Sequence, residues 1–259
     1  MYAEERQHAI AALVMAQGRA SVAELAQAYD VTTETVRRDL AVLHKAGLVR
    51  RVHGGAVPAR ALHLVEQDVD ERDATRSTHK DAIAAAATDF FPAGGASVLL
   101  DAGTTTSRVA ALLPTDRDLV VVTNSVPIAA RLSAVPSVTL QLLGGRVRGL
   151  TQAAVGEQAL ATLGRLRVDI AFIGTNGITA RHGLSTPDGE EAAIKRAMVR
   201  SANYVVVVAD SSKIGREELH SFAPISSVDA LITDTEIADS ARDELVGLGV
   251  EVTCAGATA

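Results

Sequence analysis

Five short polar runs, each directly behind an apolar stretch, are where this sequence could do chemistry. They are Gly103-Thr104-Thr105-Thr106-Ser107, Thr123-Asn124-Ser125, Gly144-Gly145-Arg146, Gly174-Thr175-Asn176-Gly177 and Asp210-Ser211-Ser212-Lys213. The first precedes a helical stretch, so free backbone N–H groups, the positive end of the helix dipole and several hydroxyls would converge on one anion, as a phosphate monoester requires. Lys213 and Arg146 add positive charge within potential reach, although Lys213 also reads as a solvated loop lysine. None of the runs follows GxxxxGK[ST] or GxGxxG, so nucleoside triphosphates and dinucleotides lose ground as ligands. Any one such loop is ordinary turn chemistry. Five on one edge of a sheet are harder to dismiss.

The elements that must position these loops alternate. Apolar, β-branched runs (SVLLDA, DLVVVT, SVTLQLL, VDIAFI, YVVVVAD, VDALIT and GVEVTC) are separated by helical stretches. That order predicts a parallel sheet covered on both faces. In such a sheet every loop after a strand emerges at the carboxyl edge, where ligands of open α/β folds bind.

The first sixty residues follow another plan. Apolar Ala9, Ile10, Leu13 and Val14 recur at helical spacing before Gly18. Ser21 and Glu24 form a capping-box pair opening a short helix over VAELAQAY. Thr32 or Thr33 then caps a third helix that buries Val36, Leu40 and Leu43 and ends at Gly47. The short connection between the last two is helix-turn-helix spacing. At roughly 100° per residue, Glu34, Arg38, Ala41 and Lys45 face outward, with Thr35 and Arg37 on the flanks and Thr33 at the amino end. A charged exterior of this kind also suits a plain solvated helix. The next segment favours DNA: LVRRVHGGAV reads as two strands around His53-Gly54-Gly55, flanked by Arg50 and Arg51, a basic wing placed to contact phosphates.

Charge agrees with that division. The net charge of −6 conceals an N-terminal stretch, residues 1–60, with eight Lys/Arg against six Asp/Glu, whereas the remainder has seventeen against twenty-five. One cysteine, Cys254, excludes an intramolecular disulfide and a cysteine metal cluster. The seven histidines show no HxH or HExxH spacing, and no Ser/His/Asp arrangement stands out, so no metal or cofactor is expected. The start lacks a basic secretory n-region, and no apolar run approaches the roughly 18 residues of a spanning helix. A cytoplasmic protein with no membrane partner is expected.

SVAELAQAYDVTTETVRRDLAVLHKAGLVRRVHGGAV, residues 21 to 57, resembles the signature of the DeoR family of bacterial regulators. DAGTTT, VVTNS, LLGGR, FIGTNGI, EEAAIK and ADSSK resemble the family's pattern through the rest of the chain. The resemblance implies a winged helix-turn-helix over 1–57, a linker over 58–75 leading into a helix at roughly 76–91, and an α/β effector domain over 76–259 that resembles ribose-5-phosphate isomerase. It implies two partners, operator DNA and a phosphorylated sugar, and a homodimer or homotetramer. Asp101, Glu190, Lys195 and Asp210 join the loops as effector-site residues on this basis. By spacing alone, Glu190 or Glu191 with Lys195 reads equally as a surface ion pair. The alternative is an isomerase or deaminase-like enzyme carrying a DNA-binding domain. Against it, Ile173 and Asn176 stand where the isomerase has acidic residues, and neither is a general base. MYAEERQ, TQAAVGEQAL and HGLSTPDGEEAAIK are similar to the fructose-operon repressors of the family, which implies fructose 1-phosphate as effector.

If the third helix reads bases, Arg38→Ala costs about 1–3 kcal/mol at the cognate operator and relaxes base preference. Arg51→Ala instead weakens all sequences and flattens the salt dependence. Fluorescence anisotropy on specific and scrambled duplexes separates the two; equal, sequence-independent losses would remove the groove-reading role of the helix.

Overall fold

A computed structural model describes residues 3–17, 20–52, 54–58 and 69–256. The chain divides into two compact units, residues 1–62 and 63–259. Gly18, His53 and the Arg50 side chain, singled out above, lie outside what is described.

In the first unit, α1 (Ala3–Gln17) is followed by β1 (Ala20–Ser21), α2 (Val22–Ala28), α3 (Thr33–Lys45), β2 (Val49–Val52) and β3 (Gly55–Pro58). The capping box forms: Glu24 N donates to Ser21 Oγ at 3.1 Å while Ser21 N donates to the Glu24 carboxylate at 2.8 Å. Thr32 caps α3 by accepting from Thr35 N. The helix ends where Gly47 takes φ +69°, letting Gly47 N reach His44 O and Leu48 N reach Leu43 O. Val36, Leu40 and Leu43 pack with Ile10, Val14, Leu25 and Val49 in one small core. A polar clasp, invisible to periodicity, joins α1 to α3: buried Asp39 accepts from Arg6 Nε at 2.6 Å and Gln7 Nε2 at 2.9 Å.

The wing is a three-stranded sheet, order β1-β3-β2, rather than the expected pair of strands. Val52 opposes Gly55, so Gly55 is itself in β3. Glycine is needed there because a Cβ would fall 2.3 Å from the Ala20 carbonyl of β1.

The second unit opens with α4 (Val69–Ala74) and α5 (Ser77–Ala86), then a 3₁₀ turn at Ala87–Phe90. Part of the stretch read as linker, 58–75, is therefore helical. Its acidic composition looks solvated, but Asp73 of α4 is engaged by Arg108, thirty-five residues away. The chain continues through β4 (Ser97–Leu100), α6 (Thr104–Ala111), β5 (Leu119–Thr123), α7 (Val126–Leu132) and β6 (Val138–Leu142). A hairpin of β7 (Arg146–Arg148) and β8 (Ala153–Val155) precedes α8 (Glu157–Leu163) and β9 (Val168–Ile173). A second hairpin, β10 (Gly177–Thr179) and β11 (Gly183–Thr186), leads to α9 (Gly189–Ser201), β12 (Ala202–Val208) and β13 (His220–Ala223). Last come β14 (Ala230–Asp234), α10 (Asp239–Gly247) and β15 (Glu251–Ala255).

All seven expected strands form one parallel sheet, order β15-β14-β12-β9-β4-β5-β6. Alternation sends Leu99, Ala171, Ile173, Val205 and Val207 into one core with α8 and α9. Val98, Leu100, Phe172, Val206 and Val208 enter the other with α5, α6 and α7. From β4 the chain steps outward to β5 and β6, then returns to β9 on β4's other side. The loops after β4 and β9 thus diverge at the switch point of strand order, leaving a crevice at the carboxyl edge. The hairpins, and the small antiparallel sheet β10-β11-β13, were not anticipated.

Capping supplies the test of local design here: Ser21→Ala lowers unfolding free energy by about 1 kcal/mol and Ser21→Gly by only a few tenths. Urea midpoints of the intact protein measure both; equal losses would place the effect in β1 rather than in the cap.

Candidate functional site

Three loops meet in the β4/β9 crevice. The recess there, about 590 Å³ including its open mouth, is lined by Gly103 to Thr106, Gly174 to Asn176, and Asp210 with Lys213. Gly103 caps α6 without any side-chain hydrogen bond, so the N–H groups of the helix's first turn face the recess uncapped. Thr106 is fully buried and locks the turn by donating to the Asp101 and Gly103 carbonyls, both at 2.9 Å.

The opposite wall carries residues that the sequence reading missed. Arg72 and Thr75, from α4 and the turn behind it, and Lys80 of α5 also line the recess. Lys80 donates to the Arg72 carbonyl and, at 2.7 Å, to the Thr75 carbonyl, which leaves one ammonium hydrogen for a ligand. Burial lowers its pKa to about 8 despite the pull of Asp210. Burial likewise lowers Lys213. Four cations thus border the space: Arg72, Lys80, Lys195 and Lys213. No local signal could find Arg72 or Lys80, because only the return of β12 beside β9 brings Asp210 and Lys213 to face them.

Lys195 is not on the surface. It is buried, pairs with fully buried Asp101, donates to the Gly174 carbonyl at 2.9 Å and stands 5.7 Å from the Phe222 ring centre. Burial pushes the Asp101 carboxyl above the ordinary range, against the pull of Lys195.

Several expected effector residues fall elsewhere. Glu190 is half exposed and paired with Arg146; Glu191, one position on and therefore about 100° around the helix, is the carboxylate at the recess. Glu191 accepts from Thr151 and from Arg148 at 3.0 Å, which fastens the β7–β8 hairpin to the start of α9. Gly144, Gly145 and Arg146 do not line the recess, because β6 is the outer strand, two places from β4. Thr123 accepts from Ser125 N, and Ser125 caps α7 by accepting from Ile128 N, so both serve the turn rather than the recess. Asn124 borders only a smaller inner cavity. Asp210, by contrast, does border the recess, with its carboxylate committed to Ser212 and to Arg76, 3.2 Å away.

In the first unit, Thr33, Glu34, Arg37, Arg38 and Lys45 are exposed on α3, Thr35 is half-buried beside its cap, and Arg51 is exposed on β2. Glu34 lies 3.4 Å from Arg38 and 3.7 Å from Arg37, with all three side chains more than half exposed. Such pairs are weak and open readily to a phosphate or base edge. Arg37 and Arg51 line a cleft between α3 and the wing.

Family comparisons agree with this division. Residues 6–60 match the DeoR-like helix-turn-helix domain, and residues 75–235 match the DeoR C-terminal sensor domain. The chain belongs to the DeoR family of transcriptional regulators. It is 38% identical over 252 residues to the HTH-type transcriptional regulator GlpR of Haloferax volcanii, covering 97% of this chain and 98% of that one. It is 33% identical to the glycerol-3-phosphate regulon repressor of Escherichia coli K12, over 89% of this chain and 90% of the other. Among solved structures, ribose 5-phosphate isomerase A of Methanocaldococcus jannaschii aligns at TM-score 0.38 and 18% identity, over 52% of this chain and 53% of its own. No helix among the described residues of this DeoR-family regulator is long and apolar enough to cross a membrane.

Because Lys80 is charged below about pH 8 and neutral above it, anion affinity falls as pH rises through that value. Between pH 8 and 9.5, where inorganic phosphate remains a dianion, calorimetric titration is expected to show the decline. Lys80→Arg, which stays protonated, makes it shallower. A flat profile in the native protein would take Lys80 out of the anion site.

Proposed function

We propose that this regulator represses a carbohydrate-utilisation operon in the cytoplasm and leaves its operator when a phosphorylated sugar occupies the β4/β9 recess. The observation that carries the reading is the uncapped amino end of α6 facing Lys80, Lys213 and Arg72 across one space. A dianionic phosphate fits that pole. Thr33, Glu34, Thr35, Arg37, Arg38 and Lys45 of α3 are assigned to the major groove, and Arg50, Arg51 and His53 to the backbone beside it. One module covers a half-site, so a homodimer or homotetramer on repeated or two-fold-related half-sites follows. Fructose 1-phosphate is the effector favoured by the sequence resemblance, and the glycerol-3-phosphate regulon repressor among the relatives supports the wider class of phosphorylated polyols.

Binding without turnover is favoured over an isomerase by the state of the carboxylates. Asp101 is tied to Lys195, Glu191 to Arg148 and Thr151, and Asp210 to Arg76 and Ser212. A general base must be free to take a proton from substrate. Glu191 and Asp210 are engaged by hydrogen bonds and ion pairs, and the one unpartnered oxygen of Asp101 belongs to a carboxylate whose other oxygen is held by Lys195.

A thermal-shift panel of sugar phosphates on the intact protein, followed by operator binding with the hits, tests the reading. A ligand at about 100 times its Kd stabilises by about 2.7 kcal/mol, a melting shift of several degrees. Fructose 1-phosphate is expected to shift the melt and weaken operator binding, whereas unphosphorylated fructose does neither. If no phosphorylated sugar shifts the melt or changes operator affinity, the sensor assignment fails; product formation from any of them would revive the enzyme reading.

A further inference from the structure

Behind the recess lies a second, smaller cavity, bordered by Asp101, Ala102, Asn124, Ala153, Glu191 and Lys195. Ala102, Glu191 and Lys195 border both spaces, so the two adjoin. Two of the lining residues carry a buried oxygen with no hydrogen-bond partner: Asp101 Oδ1 and Asn124 Oδ1. The residues are only 1% and 4% exposed.

Neither orphan oxygen is free to turn away. Asn124 Nδ2 donates to the Ala154 carbonyl at 3.1 Å, and the Asn124 carbonyl accepts from Ala154 N at 2.7 Å. This double tie to β8 leaves Oδ1 as the amide's spare atom. Asp101 Oδ2 is held by Lys195. The Gly174 N–H and the Thr106 hydroxyl help stabilise the Asp101 charge without reaching Oδ1 in hydrogen-bonding geometry. A Cβ at Gly103 or at Gly174 would lie 3.6 Å from that same oxygen, so both glycines leave it uncovered.

A buried acceptor without a donor costs on the order of 1–3 kcal/mol. Two around one cavity call for a ligand that brings hydrogen-bond donors. A phosphate has none to spare when dianionic, and it would meet the Asp101 and Glu191 carboxylates and the Asn124 amide there. Hydroxyl groups suit the place: each donates to an acceptor, and their oxygens accept from Lys195, whose third N–H is uncommitted to Asp101 or Gly174.

We propose that Asn124 and Asp101 form a hydroxyl-reading subsite that sets effector specificity. The ligand then lies with its phosphate at the amino end of α6 and its hydroxylated carbons toward Asn124. The inference rests on the phosphorylated-sugar reading of the recess and adds the orientation of the ligand and the basis of its selection. A phosphate ester lacking hydroxyls binds only through its anion.

Calorimetric titration of the intact protein with inorganic phosphate, n-butyl phosphate, ribose 5-phosphate and fructose 1-phosphate tests it. Native protein is expected to bind at least one sugar phosphate tenfold or more tighter than inorganic phosphate, with butyl phosphate no better than inorganic phosphate. Asn124→Ala is expected to erase that tenfold margin while leaving inorganic phosphate affinity within twofold of native, which also verifies that the anion pole is intact. Butyl phosphate matching the best sugar phosphate overturns the subsite, on native protein alone. So does a sugar-phosphate margin that survives Asn124→Ala, or a variant that loses both ligands equally. If native protein binds neither inorganic phosphate nor any sugar phosphate, the sensor reading itself falls and takes the subsite with it.

Discussion

The buried Lys195–Asp101 pair is the interaction on which the sensor unit's site depends. Asp101 ends β4, Gly174 follows β9, and Lys195 of α9 reaches both. One ammonium therefore joins the two strand ends that diverge at the switch point with the helix lying across them. A buried ion pair adds little net stability compared with apolar packing, since desolvation offsets the attraction. Its value is geometric: it ties both strand ends to α9, with the Phe222 ring centre 5.7 Å from the ammonium. The start of α9 is then clamped again by charge, where Asp188 caps Glu190 and Glu191 and Arg148 lies 3.3 Å from Asp188.

Charge also holds the entrance to the unit. Arg76 sits in the left-handed region at φ +54°, a conformation that costs a non-glycine residue on the order of 1 kcal/mol. What keeps it there is a set of acids from the far ends of β12 and β14: Asp210 and Asp234, each 3.2 Å away, and Glu236 at 2.8 Å. Burial pushes the Asp234 carboxyl up, but Ser211, the Glu236 amide and Arg76 together hold it below the usual range. Arg108 ties α4 to the body through Asp73 and, at 3.3 Å, through the Asp73 carbonyl. α4 and the Arg76 turn are thus fastened beside the recess by ion pairs and carbonyl contacts, several of them to Asp210 or to Lys80, which themselves line it.

An acidic chain can serve two anionic partners because potential is local. The net charge of −6 is a mean over an uneven distribution, while Arg72, Lys80, Lys195 and Lys213 are gathered around one recess. Lys80 and Lys213 have their charged forms disfavoured by burial, so an arriving anion gains from restoring them. On α3 the opposite holds. Arg37 and Arg38 are exposed and only loosely occupied by Glu34, which suits a surface that must engage and release a long polyanion.

Much of this was legible from residues alone where the signal was local. Ser21 and Glu24, Thr32, and Gly47 mark the helix ends that form, because a cap is satisfied within four residues. The seven apolar runs mark the seven strands, since a strand buried on both faces must be apolar throughout. The Gly103–Thr106 loop could be singled out because anion binding at a helix start needs only contiguous backbone. What residues alone could not reveal was strand order, and strand order decides the site. Of five polar loops at one edge, it brings those after β4, β9 and β12 together, leaves Asn124 behind them, and sends Gly144 to Arg146 outside with the edge strand. The helical phase that separates Glu191 from Glu190 has meaning only once α9 is laid on the sheet. Arg72 and Lys80, in a stretch whose composition reads as linker and surface helix, become recess residues only where the loops after β4, β9 and β12 meet them around one space. Such pairings are set by the closing of the parallel sheet, a long-range event that no window of neighbouring residues encodes.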